Sequence, residues 1–181
     1  VVFGFCAVAM IGIMVYFSCI DTKTDLGNFE RIIRFNDIWG THRGFMWIRS
    51  IWIFGDASFI EKLFGVGPDM FYSAFSPYFD DLSKYGDSST NAAHNEYLNY
   101  LITIGITGLL SYLAIVCGTI KNAVKYAKEN PMLIACVSAV ICYAVQSVVN
   151  LYQPITTPLF FIFIALCEAF VRNAKAEKSA V

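Results

Sequence analysis

Apolar positions in this chain fall in four long runs, 1–20, 97–120, 132–151 and 154–171, and the residues between them lack sustained helical periodicity. A helix needs roughly 20 apolar residues at about 1.5 Å each to cross a hydrocarbon core of about 30 Å. The four runs meet or approach that length, so the pattern predicts four membrane-spanning helices. The first three carry no charge, and the fourth carries only Glu168, close to its end. Core helices of soluble proteins seldom hold more than about 15 uninterrupted apolar residues, which argues against a soluble bundle.

The remaining pattern is concentrated in one loop, 21–93, between the first and second runs. All of the tryptophans, Trp39, Trp47 and Trp52, lie in it, so it has something to pack against. The order Arg43-Gly44-Phe45-Met46-Trp47-Ile48-Arg49 continuing to Phe54 predicts a helix at the membrane interface, because Trp favours headgroup depth. Arg43 shares a helical face with Trp47, whereas Arg49 is turned about 120° from Arg43, so a straight helix cannot aim both arginines at one ligand. The expected fold is therefore all-α: an integral membrane protein of about four spans with one long loop containing interfacial helices.

Composition agrees with a lipid environment: 57% of residues are hydrophobic, 16% aromatic and only 15% charged. The formal net charge of -1 and the lack of a basic run exclude a nucleic-acid partner. The cysteines, Cys6, Cys19, Cys117, Cys136, Cys142 and Cys167, all fall in or beside the apolar runs, which points to packing rather than a disulfide framework. Positive residues are retained on the cytoplasmic side. Lys121, Lys125 and Lys128 in the connection before Pro131, with Arg172, Lys175 and Lys178 in the tail 172–181, place both there and the loop 21–93 outside. The chain opens on Val1 inside an apolar run, without Met or a basic flank, and reads as a portion of a longer protein.

Phe64-Gly65-Val66-Gly67-Pro68-Asp69 specifies a tight turn and lacks the length and Lys-Ser/Thr of a phosphate loop. The stretch from Lys84 to Asn91 is polar and aperiodic, as a lid or a plain connector would be. It runs into Asn91-Ala92-Ala93-His94-Asn95-Glu96-Tyr97-Leu98, where Asn91 is a candidate N-cap that would put His94 in the first helical turn. There the helix dipole disfavours imidazolium, so His94 would stay neutral and able to accept a proton, and free N–H groups could hold an anion. A structural role for a lone histidine at a helix start stands beside this one. Zinc is not expected, since Leu98 occupies the position of a second ligand four residues on. A direct pair between His94 and Glu96 is not expected either, as two helical positions so spaced lie about 200° apart. Gly105 and Gly108 are read as a small-residue face for close helix contact.

Taken together, Arg43 with Trp47, Phe64-Gly65-Val66-Gly67 with Phe71, His94-Asn95-Glu96-Tyr97-Leu98, and Gly105-Ile106-Thr107-Gly108-Leu109-Leu110 resemble the O-antigen ligase and polymerase family of bacterial membranes. Pro68, Asp69 and Thr103 depart from the family's usual residues. The resemblance covers about 43–110 and implies a C-terminal portion of a larger glycosyltransferase. It further implies transfer of a glycan from a polyprenyl-diphosphate carrier to a glycan or lipid-glycan acceptor at the outer face of the inner membrane, without metal or other cofactor. On it, His94 takes the proton of the attacking hydroxyl and Arg43 holds the diphosphate, with Arg49, Asn95 and Glu96 as supporting substrate-binding candidates. For Arg43 a lipid-headgroup anchor is the plain alternative. A transporter or flippase component is the alternative function, disfavoured because polar residues gather at the outer face rather than in mid-span. Polymerase and ligase are not separated by these residues.

Overall fold

A computed structural model describes residues 2–179, with side chains from residue 9 onward; Val1, the side chain of Cys6 and the last two residues of the expected tail lie outside the described residues. The described residues form helices and turns without a strand. The ten α-helices are α1 (Val2–Val15), α2 (Glu30–Ile33), α3 (Trp39–Asp56), α4 (Phe59–Phe64), α5 (Phe71–Phe75), α6 (Phe79–Ser83), α7 (Glu96–Thr103), α8 (Gly105–Tyr126), α9 (Met132–Gln146) and α10 (Thr156–Ser179). By length and composition α8 can cross a membrane on its own, while Ala9–Ile20 and α9 are shorter apolar helices.

The loop is a folded helical cap. Phe45, Phe71, Phe75, Leu82, Ala93 and Ile102 are each 3% exposed or less and form one core joining α3, α5 and α6 to α7. Burying a large apolar side chain stabilises by about 1.5–3 kcal/mol, which explains why so aromatic a loop does not remain a linker. Trp39 and Trp47 pack at 5.1 Å between ring centroids, and the indole of Trp39 donates to the Ile32 carbonyl at 2.9 Å. Arg34 draws the exit of the first apolar run onto the cap by donating to the carbonyls of Phe17, Asp21 and Thr24. Short α4 begins with a capping box: Ser58 and Glu61 each accept from the other's backbone N–H.

Behind the cap, α8, α9 and α10 pack through two cores. Tyr112, Val116, Val140 and Phe160 lie near the cap. Ala123, Leu133, Cys136, Val137, Cys167 and Val171 lie at the opposite end, with Cys136 and Cys167 as buried free thiols.

The structure corrects three element boundaries. The helix expected over 97–120 is broken between Thr103 and Gly105 into α7 and α8. The run expected over 132–151 remains α-helical only to Gln146, because Ser147 turns to accept the N–H of Glu96 on its carbonyl at 2.9 Å. Finally, α10 continues through Arg172 and Lys175 to Ser179, so the described part of the tail is helical.

Candidate functional site

The break before α8 is a backbone crossing. Val66 and Gly67 donate to the carbonyls of Ile102 and Thr103 at 2.9 and 3.0 Å, and the hydroxyl of Thr107 donates to Leu63 at 2.7 Å. Gly65 and Gly105 both have positive φ, +77° and +70°. A Cβ on Gly65 would run into the backbone of Thr103, and one on Gly105 into that of Leu63. The glycines of the two sequence motifs are therefore two sides of one contact, and Gly105 is a junction residue rather than part of a helix-packing face. Asp69, also at positive φ, accepts from the Tyr152 hydroxyl at 3.4 Å.

Above this crossing the chain enters α7 differently from expectation. The N-cap is Asn95, not Asn91: its backbone is extended and its side chain accepts from the N–H of Leu98 at 3.0 Å. Ala92 and Ala93, 4% and 0% exposed, are drawn into the cap core before the helix can begin. His94 thus sits one residue ahead of the cap, at φ +51°, and not in the first helical turn. It is partly buried and faces a cavity of about 480 Å³. Met46, Tyr72 and Leu82 form its apolar wall, and Asp87, Ser89, Thr90 and Asn91 its polar one. Burial holds the imidazole below its ordinary pKa of 6.5, the positive charge of Arg43 lowers it further, and Asp87 works in the opposite direction. Its neutrality has a cause other than the helix dipole invoked from sequence.

Arg43 follows three residues in left-handed conformation, Gly40, Thr41 and His42, at φ 59°, 60° and 67°. Such backbone costs on the order of 1–3 kcal/mol at each non-glycine residue and gathers at functional sites. The guanidinium donates to the Gly40 carbonyl at 2.8 Å. Its Nε, the Nδ1 of His42 and the indole Nε1 of Trp47 are buried without a hydrogen-bond partner. Buried polar atoms are ordinarily paired, so these leave unused capacity around Arg43. The His42 ring lies 4.7 Å from that of Tyr85. From α3 it is Met46, not Arg43, that lines the cavity; Arg43 acts on His94 through its charge.

The supporting candidates sit elsewhere. Arg49 forms a two-pronged pair with Asp37, with Nη2 to Oδ2 at 2.8 Å, and its guanidinium lies 4.1 Å from the centroid of Phe45 and 4.7 Å from that of Trp52. That commits it to holding the cap together. Asn95 is used as the helix cap. Glu96, 1% exposed, accepts from Tyr100 at 2.8 Å, Tyr143 at 3.1 Å and Ser147 at 2.8 Å. A further chain leads from the Gln153 N–H to Thr157 at 2.9 Å and on to Tyr143 at 2.6 Å. Glu96 therefore ties the start of α7 to α9 and α10 and points away from the cavity, in keeping with the expectation that it makes no pair with His94. Asp87 and Ser89 lie in the stretch 84–91 that the sequence marked as a lid or a plain connector, whereas Tyr72 had no signal, since only tertiary folding brings it to the cavity. The Glu96 network had a partial one: an acid entering an apolar helix with Tyr100 one turn on.

Among the described residues no group of three or more His, Cys, Asp or Glu side chains could hold a metal ion. The arrangement instead offers a proton acceptor at a polar cavity and a fixed positive charge behind it. The chain matches no curated protein and no solved structure. A family profile described as O-antigen ligase matches residues 1–113, which contain Arg43, the glycine crossing, His94 and the whole of the cap. The chain belongs to the O-antigen ligase family.

Proposed function

We propose that this chain acts in a metal-independent membrane glycosyltransferase that moves a glycan from a polyprenyl-diphosphate carrier to a glycan or lipid-glycan acceptor. In this reading the acceptor hydroxyl approaches His94, which takes its proton on a ring nitrogen as the oxygen attacks the anomeric carbon. The bond from that carbon to the diphosphate oxygen breaks with its electron pair, and the leaving diphosphate is stabilised by Arg43. The displacement inverts the anomeric centre, and the proton passes from His94 to the departing diphosphate or to water. The observation that carries the reading is His94, partly buried with its pKa lowered, at the head of a polar cavity and within the field of Arg43. Unpartnered nitrogen at Arg43 supports an anion there, as arginine forks onto phosphate oxygens.

The reading includes four spans, with the cap outside the inner membrane and the α8–α9 connection and the C-terminal tail in the cytoplasm. Lys178 lies 3.7 Å from Glu129 and Lys175 stacks on Tyr126, which supports a common side for the two basic segments. A transporter or flippase component gains no support from the α7–α8 break. Broken helices in transporters leave carbonyls open to ions, whereas those of Ile102 and Thr103 are bonded to Val66 and Gly67.

In the full-length protein, His94→Ala is expected to stop glycan transfer while membrane insertion is unchanged. Surface polymer of normal amount and length in that variant would overturn the reading. Gel profiles after gene deletion separate the two branches: a single-unit surface glycan marks a polymerase, and full-length polymer stranded on its carrier marks a ligase.

A further inference from the structure

The cavity at His94 has a chemistry of its own that the transfer reaction does not assign. Its polar wall holds Asp87, Ser89 and Asn91, and among the described residues none of these side chains has a hydrogen bond within the protein, whereas Thr90 is bonded to Ala92. No lysine or arginine lines it, so its charge is negative at Asp87. The lining also includes Tyr72, 52% exposed, and the buried side chains of Met46 and Leu82. A carboxylate, an amide and a hydroxyl in one lining with an aromatic side chain match a sugar, whose hydroxyls need paired donors and acceptors and whose C–H face packs on aromatic carbon. The volume, about 480 Å³, lies within the range of roughly 300–1,000 Å³ usual for small-molecule sites.

A diphosphate does not suit this wall, because its charge would meet Asp87 without a cation in the lining. The two substrates therefore separate: the anionic carrier belongs on the Arg43 side of His94 and an uncharged or cationic group on the cavity side. Resting on the transferase reading, we propose that the cavity is the subsite for the acceptor's terminal sugar, that this sugar is neutral or amino-bearing, and that Asp87 sets the selectivity by excluding carboxylated sugars.

The test uses the full-length protein in native membranes with its carrier-linked donor and acceptors that differ only in the terminal sugar: hexose, 2-amino-hexose or hexuronate. The wild type is expected to favour the first two over the uronate by about tenfold or more in kcat/KM, since like charges placed together oppose binding. Asp87→Asn should narrow the advantage of the first two over the uronate, and Asp87→Lys should raise the uronate relative to hexose by about tenfold. Ratios that stay constant across both variants would overturn the proposal.

A binding measurement covers the case in which the variants do not turn over. Modification of Ser89→Cys by a small maleimide, followed on the peptide carrying position 89, should be slowed by the hexose and amino-sugar acceptors and unaffected by hexuronate or inorganic pyrophosphate. Protection by pyrophosphate, or by none of the sugars, would overturn the proposal. The two readings fail separately: protection by neutral sugar together with normal transfer in His94→Ala removes His94 as the base of the proposed transfer and leaves the subsite, while loss of transfer in His94→Ala with no protection at position 89 removes only the subsite.

Discussion

His94 and Arg43 act on each other through charge before any substrate arrives. Two effects favour the neutral imidazole, burial first and the guanidinium second, with Asp87 opposing them. A lowered pKa keeps the base free at lower pH, so the acidic limb of kcat/KM, which reports the free enzyme, should have its midpoint below 6.5. Arg43→Gln removes the second cause and leaves the first. Its limb should move up towards 6.5 without passing it, while activity falls by about a hundredfold from loss of the clamp on the leaving group. A limb that stays in place in Arg43→Gln would show that the two residues do not communicate as described. His94 was legible as a candidate because a polar loop meets an apolar helix there, and Arg43 only through the resemblance to the O-antigen ligase family. The true N-cap was not: Asn91 and Asn95 are equally good caps by residue type. The choice was made by Ala93, which is buried in one core with the distant Phe45, Phe71 and Phe75.

Between elements, the decisive contact is the crossing of the Gly65 turn over the start of α8. Replacing Gly105 by alanine forces an L-residue to φ +70° and pushes a methyl group into the backbone of Leu63. The conformation alone costs about 1–3 kcal/mol, and the clash parts α4 from α8. Gly118 lies in the same helix with nothing within 4 Å of its would-be Cβ. Alanine there should be neutral or stabilise by roughly 0.5–1 kcal/mol through helix propensity. Thermal unfolding of the detergent-solubilised full-length protein should thus give a midpoint several degrees lower for Gly105→Ala and an unchanged or higher one for Gly118→Ala. Equal midpoints would refute the crossing. An apolar run shows how much chain is helical without showing where the helix breaks, since glycine is ordinary in membrane helices. The break at Gly105 comes from the Val66 and Gly67 donors, which a reading of the run by itself does not contain. Ser58-x-x-Glu61, by contrast, was a local signal, and a capping box was there to be read.

At the scale of the molecule, the helices behind the cap are arranged by their two ends. Lys175 lies 5.6 Å from the ring of Tyr126 at the end of α8 and Lys178 lies 3.7 Å from Glu129, which gathers the end of α10 and the α8–α9 connection. At the other end Tyr152 reaches Asp69, and Glu96 joins α7 to Ser147 and Tyr143, so the α9–α10 turn belongs with the cap. The order of Lys and Arg along the chain predicts the two basic segments on one side of the membrane, because positive residues are retained on the cytoplasmic side. At about 1.5 Å per residue, the 15 residues of α9 reach only about 22 Å, so a crossing by α9 would require the bilayer beside it to thin or the 147–151 turn to enter it. If α8, α9 and α10 each cross, the cap and the end of α10 face opposite sides. Ser88→Cys, in the exposed polar stretch, should then react with a membrane-impermeant maleimide in intact cells, and Ala176→Cys only after permeabilisation, each followed on its own peptide. Reaction of both from the same side would leave an even number of crossings between them, and reaction of Ser88→Cys only after permeabilisation would remove the external position of His94 from the transfer mechanism.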